Sequence, residues 1–352
     1  MPGGFEPDKI MGMGKRLWIP DYIKGWAVII MIQAHIFETW IRQDTLDTAA
    51  GAVIRFVNNI PAAPLFMLLM GYLVYYTRSD SKRLMARGLK VFFWGLLLNI
   101  GLNFHYLILI LINKHEGNPL QAILGVDILF VAGISLVIIG LIRLLPQSHW
   151  WSLLFSVMIA ASAPLVANGL DRWNPDNFLQ AILGSRAEWS YFPVFPWLSY
   201  SLAGYAFAGF LKRYALAGLG KAWKISLMIL FLVLGSTGFV FNWNDLKDLE
   251  PFYHHGLPVY LWSLSFSLGL TLLLHFLPRL STGGFPAWIQ FAGRYLTKYY
   301  VVQWLIIGNL ASFYYQQLDL WAYFVGSILV TALTTIIVFV MNNNNLSFAC
   351  LC

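Results

Sequence analysis

The stretch IKGWAVIIMIQAH, Ile23–His35, is an apolar run with a lysine near its start and a histidine at its end. Both residues are costly in a hydrocarbon environment, so a segment of this kind needs a reason for each. On a helix turning 100° per residue, eleven positions amount to three turns and about 20°, so Lys24 and His35 lie on nearly one face, separated by a rise of about 16 Å. Glu38 follows His35 by three positions and falls close to the same face. Two readings stand side by side for each residue. Lys24 either snorkels to an interface or contributes a charge to a site. His35 is either a histidine satisfied by a neighbouring helix or a base, one ring nitrogen held by a carboxylate such as Glu38 and the other left available.

The rest of the chain sets the environment of that helix. Of 352 residues, 59% are hydrophobic and only 11% charged, with mean hydropathy +0.65. Soluble domains carry about 25% charged residues, so the composition is that of an all-α, multi-pass membrane protein. The first sixteen residues lack the apolar core of a cleaved signal peptide. At roughly 20 apolar residues per crossing, ten spans are expected, near 22–41, 59–76, 88–112, 121–142, 150–168, 193–211, 223–241, 258–277, 295–314 and 321–341. No internal repeat is visible, and 1–352 reads as one domain with a cytoplasmic segment at 1–20 and a cytoplasmic tail at 342–352.

Charge gives the orientation. Lys9, Lys15, Arg16, Lys24, Arg78, Lys82, Arg83, Arg87, Lys90, Arg143, Lys212, Arg213, Lys221, Lys224, Arg279, Arg294 and Lys298 all fall on one side of the ten-span parse, 17 of the 23 basic residues. Basic loops stay in the cytoplasm, so both termini are expected there. The acid-rich loops 42–58, 169–192 and 242–257 are expected outside. This asymmetry also accounts for the net charge of +7 without nucleic acid. The two cysteines, Cys350 and Cys352, lie at the end of the chain and make neither a disulfide framework nor a metal site with the rest. No phosphate-binding loop, nucleophile elbow or zinc-protease motif is present.

Further polar residues fall within the spans. Asn99 and Asn103 sit four apart, lining a polar cavity or bonding between helices. Asp127 in LGVDILF needs a lysine or arginine partner, or caps a helix. Trp197, after Pro193 and Pro196, is expected at the outer interface. His254 and His255 lie in an outer loop, too few for a metal site, and are available to an acceptor.

Four segments carry a likeness. RLWIPDYIKGWAVIIMIQAH (Arg16–His35) resembles the first helix of integral-membrane acyltransferases, a superfamily that includes acyltransferase-3 and heparan-α-glucosaminide N-acetyltransferase-like proteins. Asp21, Gly25 and His35 match its pattern, while Lys24 stands where arginine is usual, keeping the charge but not the bidentate fork. PAAPLFMLLMGYLVYY (Pro61–Tyr76), YFPVFPWLSYSLAGYAFAGFLKR (Tyr191–Arg213) and FAGRYLTKYYVVQWLI (Phe291–Ile306) resemble later helices of the same superfamily. The resemblance implies transfer of an acyl group, usually acetyl, from cytoplasmic acetyl-coenzyme A to a carbohydrate or glycolipid acceptor on the other side, in the plasma (inner) membrane. His35 is then the catalytic candidate, oriented by Glu38 or another carboxylate. Lys24, Arg78, Arg83, Arg87, Arg294 and Lys298 are candidates to hold the coenzyme phosphates. Asn99, Asn103, Asp127 and Trp197 are candidates for the acceptor side. Membrane lipids and other copies of the chain are the further partners considered. A transporter or flippase for an amphipathic or sugar-like solute uses similar intramembrane polar groups, and a non-catalytic scaffold would tolerate replacement of His35 and Lys24. Direct attack on the thioester and an acyl-histidine intermediate are both open.

Overall fold

The computed structural model describes residues 18–77, 79–172, 177–214, 220–241, 249–276 and 284–343. The described residues form helices and no strand: α1 Trp18–Trp40, α2 Gln43–Leu46, α3 Ala49–Tyr76, α4 Ser81–Leu102, α5 Phe104–Leu111, α6 Pro119–Leu124, α7 Ile128–Ile142, α8 Ser148–Leu170, α9 Phe178–Leu183, α10 Val194–Arg213, α11 Lys221–Phe241, α12 Leu249–Tyr253, α13 Leu257–Phe276, α14 Gly284–Arg294, α15 Leu296–Tyr314 and α16 Leu320–Asn343. Each of the ten apolar runs coincides with one or two of these helices. Six helices, α3, α4, α8, α10, α11 and α16, are long and apolar enough to cross a membrane. α7 and α13 are shorter apolar helices. α1 and α15 are 23 and 19 residues long but carry polar residues along their length.

Three boundaries differ from the sequence expectation, each for a local reason. The expected outer loop 42–58 is largely helical, because Thr48 accepts the Gly51 amide at 3.0 Å and starts α3 ten residues early. The expected span 88–112 breaks at Asn103, whose backbone (φ −95, ψ 11) separates α4 from α5. The expected span 121–142 breaks at 125–127, where Val126 pairs with the 189–192 segment and Asp127 opens α7.

α1 is the central helix. Val28, Ile32, Ile36 and Phe37 pack against Tyr299, Val302 and Ile307 of α15 and Tyr323 and Val330 of α16. Ile23 and Ala27 pack on Leu65 and Leu69 of α3, and Tyr22 and Ile29 on Ile289 of α14. At its far end α1 is tied to the end of α15: the Gln316 amide bonds to the Thr39 carbonyl at 3.0 Å and the Leu318 amide to that of Trp40 at 2.9 Å. The start of α1 meets α14, where a Cβ on Gly293 would lie 1.7 Å from the Asp21 carbonyl oxygen and one on Gly25 1.9 Å from that of Ile289.

The second half of the core is built on α10, wedged between α3 and α8 with most of its length buried. A Cβ on Gly71 would sit 1.8 Å from the Ser201 carbonyl oxygen, and one on Gly204 1.9 Å from that of Leu68. Gly88 and Gly133 make the same reciprocal approach between α4 and α7, at 2.6 and 2.7 Å. Close contact through small residues is how helices associate where lipid is as apolar as the side chains. Arg143, just past α7, bonds the last carbonyls of α3, Val74, Tyr75 and Thr77, and that of Ser79, so the end of α3, the start of α4 and the end of α7 share one face of the bundle.

Gly204→Ala forces α10 off α3 and should cost about 1–3 kcal/mol, the range for overpacking a close contact. Gly169→Ala, on α8 with nothing within 4 Å of the new methyl, should leave thermal unfolding of the purified protein unchanged or slightly raised. Equal midpoints for the two variants would contradict this packing.

Candidate active site

The polar residues of α1 each have a partner, as a helix packed on several sides requires. Lys24 Nζ is 2.8 Å from Asp21 Oδ1, one turn earlier, and Asp21 is itself buried. His35 Nδ1 is 3.1 Å from Oε1 of Gln303 on α15. The imidazole stacks on Trp304, ring centroids 3.9 Å apart at 28°, and meets Tyr300 edge-on at 6.5 Å. His35 Nε2 makes no hydrogen bond to the described residues, and the residue is half-buried. Glu38 does not hold the ring. Its carboxylate accepts from the Tyr253 hydroxyl at 3.2 Å, nearer the end of the bundle where α1 and α15 finish.

Gln303, Tyr300 and Trp304 were not singled out by sequence reasoning. The available signal was a glutamine inside the apolar run VVQWLII, where an amide needs a partner. Gln303 is fully buried, and its Nε2 donates to the Tyr300 carbonyl at 3.2 Å. The Tyr300 hydroxyl donates to Asp127 Oδ2 at 2.5 Å, and Asp127 Oδ1 accepts the Ile128 amide at 2.6 Å. Asp127 thus caps α7 and meets a phenol, with no lysine or arginine pairing to it among the described residues. A continuous set of contacts runs from the α7 cap through α15 to the imidazole on α1.

The other candidates divide. Asn99 Nδ2 donates to the carbonyls of Ile123 (3.0 Å) and Gly125 (2.7 Å), and Asn103 Nδ2 to that of Ala122 (2.9 Å). These amides hold the broken α6–α7 connection and so support Asp127 from behind. Trp197 is fully buried, not interfacial: its Nε1 donates to the Tyr253 carbonyl at 2.8 Å, and its ring packs on Phe192, Phe252 and His255. His254 and His255 are buried too. His255 bonds the Phe252 carbonyl and the Tyr200 hydroxyl, and burial pushes its pKa down to about 4, so it serves as a neutral structural group.

The two ends of the site are lined by different residues. At the start of α1, Lys24 is joined by Arg294, exposed at the end of α14, and by Lys298, whose ammonium lies 5.4 Å from the Tyr295 ring. Arg83 and Arg87 lie on the first turns of α4, at the end shared with the close of α3 and α7; Arg83 is exposed and faces its cap Asp80, and Arg87 is half-buried. Arg78 lies outside the described residues. Toward the opposite end, Tyr253 and Tyr191 stack edge-on at 5.8 Å beside Glu38. Tyr191 is 46% exposed. Its phenol is pushed up to about 12, first by burial among its neighbours and then by Tyr315, Asp127, Glu188 and Glu38.

Residues 16–241 match the family of the heparan-alpha-glucosaminide N-acetyltransferase catalytic domain. The chain belongs to that family. The match covers more than half of the sequence and reaches from α1 through α11; α14 and α15, with Gln303, lie beyond it. No curated protein and no solved structure matches the chain. Family membership and the apolar helices make this protein a multi-pass membrane transferase of the acetyltransferase class. The likeness to the acyltransferase-3 branch rests on sequence motifs alone.

Asn99→Leu leaves two carbonyls of the α6–α7 connection without their donor and should lower stability by about 1–3 kcal/mol. Asn103→Leu, which removes one bond at a half-buried position, should cost less. Thermal unfolding midpoints compare them, and an Asn103 variant as unstable as the Asn99 variant would count against the bracing role of Asn99.

Proposed function

We propose that this chain transfers an acetyl group from acetyl-coenzyme A, gripped at the cationic end of the bundle, to an amine or hydroxyl of a carbohydrate or glycolipid acceptor entering from the tyrosine-lined end beside Glu38. The observation that carries this reading is His35, a half-buried imidazole with an unbonded Nε2, held between the two ends inside a protein of this family. Ten spans with both termini cytoplasmic, in a single domain, complete the proposed topology, because the basic residues collect on the coenzyme side.

Each group then has a role. Lys24, Arg294 and Lys298, with Arg83 and Arg87 on α4 and Arg78 nearby in sequence, attract the anionic nucleotide end of the coenzyme. The thin pantetheine arm reaches inward beside α1. Glu38, Tyr253 and Tyr191 meet the acceptor, since carboxylates and phenols bond to sugar hydroxyls and amines; Asp127, steadied through the α6–α7 connection by Asn99 and Asn103, and Trp197, bonded to the Tyr253 carbonyl, hold that side in place. His35 Nε2 takes the proton from the acceptor as its nitrogen or oxygen attacks the thioester carbonyl. The carbon–sulfur bond breaks, and the coenzyme thiolate receives that proton. General base catalysis of this kind is worth about 10²–10⁴-fold.

Direct transfer suits this site better than an acyl-histidine. An imidazole acylated at Nε2 stays cationic unless Nδ1 loses its proton. The Nδ1 side faces an amide oxygen, which accepts a hydrogen bond but not a proton.

His35→Ala should reduce turnover of labelled acetyl-coenzyme A by about 10²–10⁴-fold with little change in KM for the coenzyme. Lys298→Ala combined with Arg294→Ala should instead raise that KM. Unchanged turnover in the His35 variant removes the base assignment.

A further inference from the structure

Among the described residues, Gln303 is the fully buried amide that touches the proposed base. Its own orientation is not free. The Tyr300 carbonyl one turn earlier can only accept a hydrogen bond, so the side of the amide facing it at 3.2 Å must be the NH₂ group. The amide oxygen therefore faces His35. An amide oxygen also only accepts, so the imidazole nitrogen 3.1 Å away, Nδ1, must carry the proton. In a neutral ring that leaves Nε2 with its lone pair. The opposite amide orientation would set two oxygens against each other at the Tyr300 carbonyl.

The support behind Gln303 is equally defined. The Tyr300 hydroxyl is bonded to Asp127, which is fixed as the cap of α7, so the α15 backbone that presents the carbonyl is anchored on a second helix. Trp304, the next residue along α15, stacks on the imidazole and sets its plane. Thr39 bonds the His35 carbonyl at 2.6 Å and steadies the α1 side.

We propose that Gln303 is a positioning residue that fixes His35 as the Nδ1-protonated tautomer and thereby presents Nε2 as the base. The assignment rests on the reading of His35 given above and deepens it. It puts an amide in the place where a carboxylate is commonly used to hold a histidine. An amide orients the ring without adding a charge inside the bundle, where a lone carboxylate would be costly. It also assigns a role to α15, which lies outside the matched part of the family domain.

The test uses the full chain in lipid nanodiscs with 15N-labelled histidine, the His35 signals being assigned by their loss in His35→Ala. In the wild type, the expected spectrum shows a protonated Nδ1 and a bare Nε2 for His35. In Gln303→Leu, which keeps the volume and removes the acceptor, the spectrum should move toward the other tautomer or a mixture. Its kcat should fall about tenfold or more, toward the ~10⁴-fold loss known where a catalytic histidine is held in the wrong tautomer. KM for acetyl-coenzyme A should stay within about twofold, since Gln303 touches no proposed substrate group. A wild-type ring protonated at Nε2 overturns the proposal, and that reading does not depend on the variant folding. A Gln303→Leu protein with wild-type tautomer and wild-type kcat overturns it as well. Full activity in His35→Ala would instead sink the base assignment, a separate failure visible beside an intact tautomer measurement.

Discussion

A helix packed on several sides within a membrane protein has no water with which to satisfy a polar side chain. That constraint governs α1. Its acid, base and histidine must each be answered by another residue: Lys24 by Asp21, Glu38 by Tyr253 and His35 by Gln303. The last of these contacts joins residues 268 positions apart. It can form only if α15 lies against α1 in one register. The backbone bonds from Gln316 and Leu318 hold the end of α15 to α1, and the Gly25–Ile289 and Gly293–Asp21 approaches seat α14, which leads into α15, against the other end of α1. Packing and chemistry are therefore one problem here: the small residues that let helices close up also bring an amide within reach of an imidazole.

The same logic explains why the site is bounded by broken helices. Backbone that leaves a helix at membrane depth must find donors and acceptors inside the protein. The α6–α7 break does so through Asn99, Asn103 and the 189–192 segment, and the break is what frees Asp127 to point its second oxygen at Tyr300. Substituting the asparagines would therefore act on the histidine at several removes, through the α7 cap and the α15 backbone. Behind the other wall, Trp197, His254 and His255 tie the segment bearing Tyr253 to α10 and to Ser185. Asn99, Asn103 and Trp197, which look like site residues in the sequence, each spend a side-chain donor on a backbone carbonyl of a neighbouring segment.

The sequence made the membrane character and the positions of the ten apolar runs legible, because composition and run length respond to a single variable, the hydrocarbon thickness. It also pointed to His35 through its spacing from Lys24 and its place in a familiar first-helix pattern. The partner of His35 was not legible. Glu38 lies at the right helical spacing, but spacing on one helix does not say which neighbouring helix supplies a closer group. Gln303 sits in an apolar run, and only the pairing of α1 with α15 brings it to His35. The Asp127 cap was legible as one of two readings of LGVDILF, whereas the break at Asn103 was not, since apolar residues continue on both sides of it. The early start of α3 depended on the Thr48 cap, a local signal inside what reads as a polar loop.

The account comes down to where the reacting atoms meet. The most direct measurement is a structure of the full chain with a nonreactive acetyl-coenzyme A analogue, its thioester replaced by a ketone. The account predicts density for the nucleotide beside Lys24, Arg294 and Lys298, and the analogue's carbonyl carbon close to His35 Nε2, with no part of the analogue at the Glu38 and Tyr191 end. A nucleotide bound at the Glu38 end, or an acyl group lodged far from the imidazole, would contradict it.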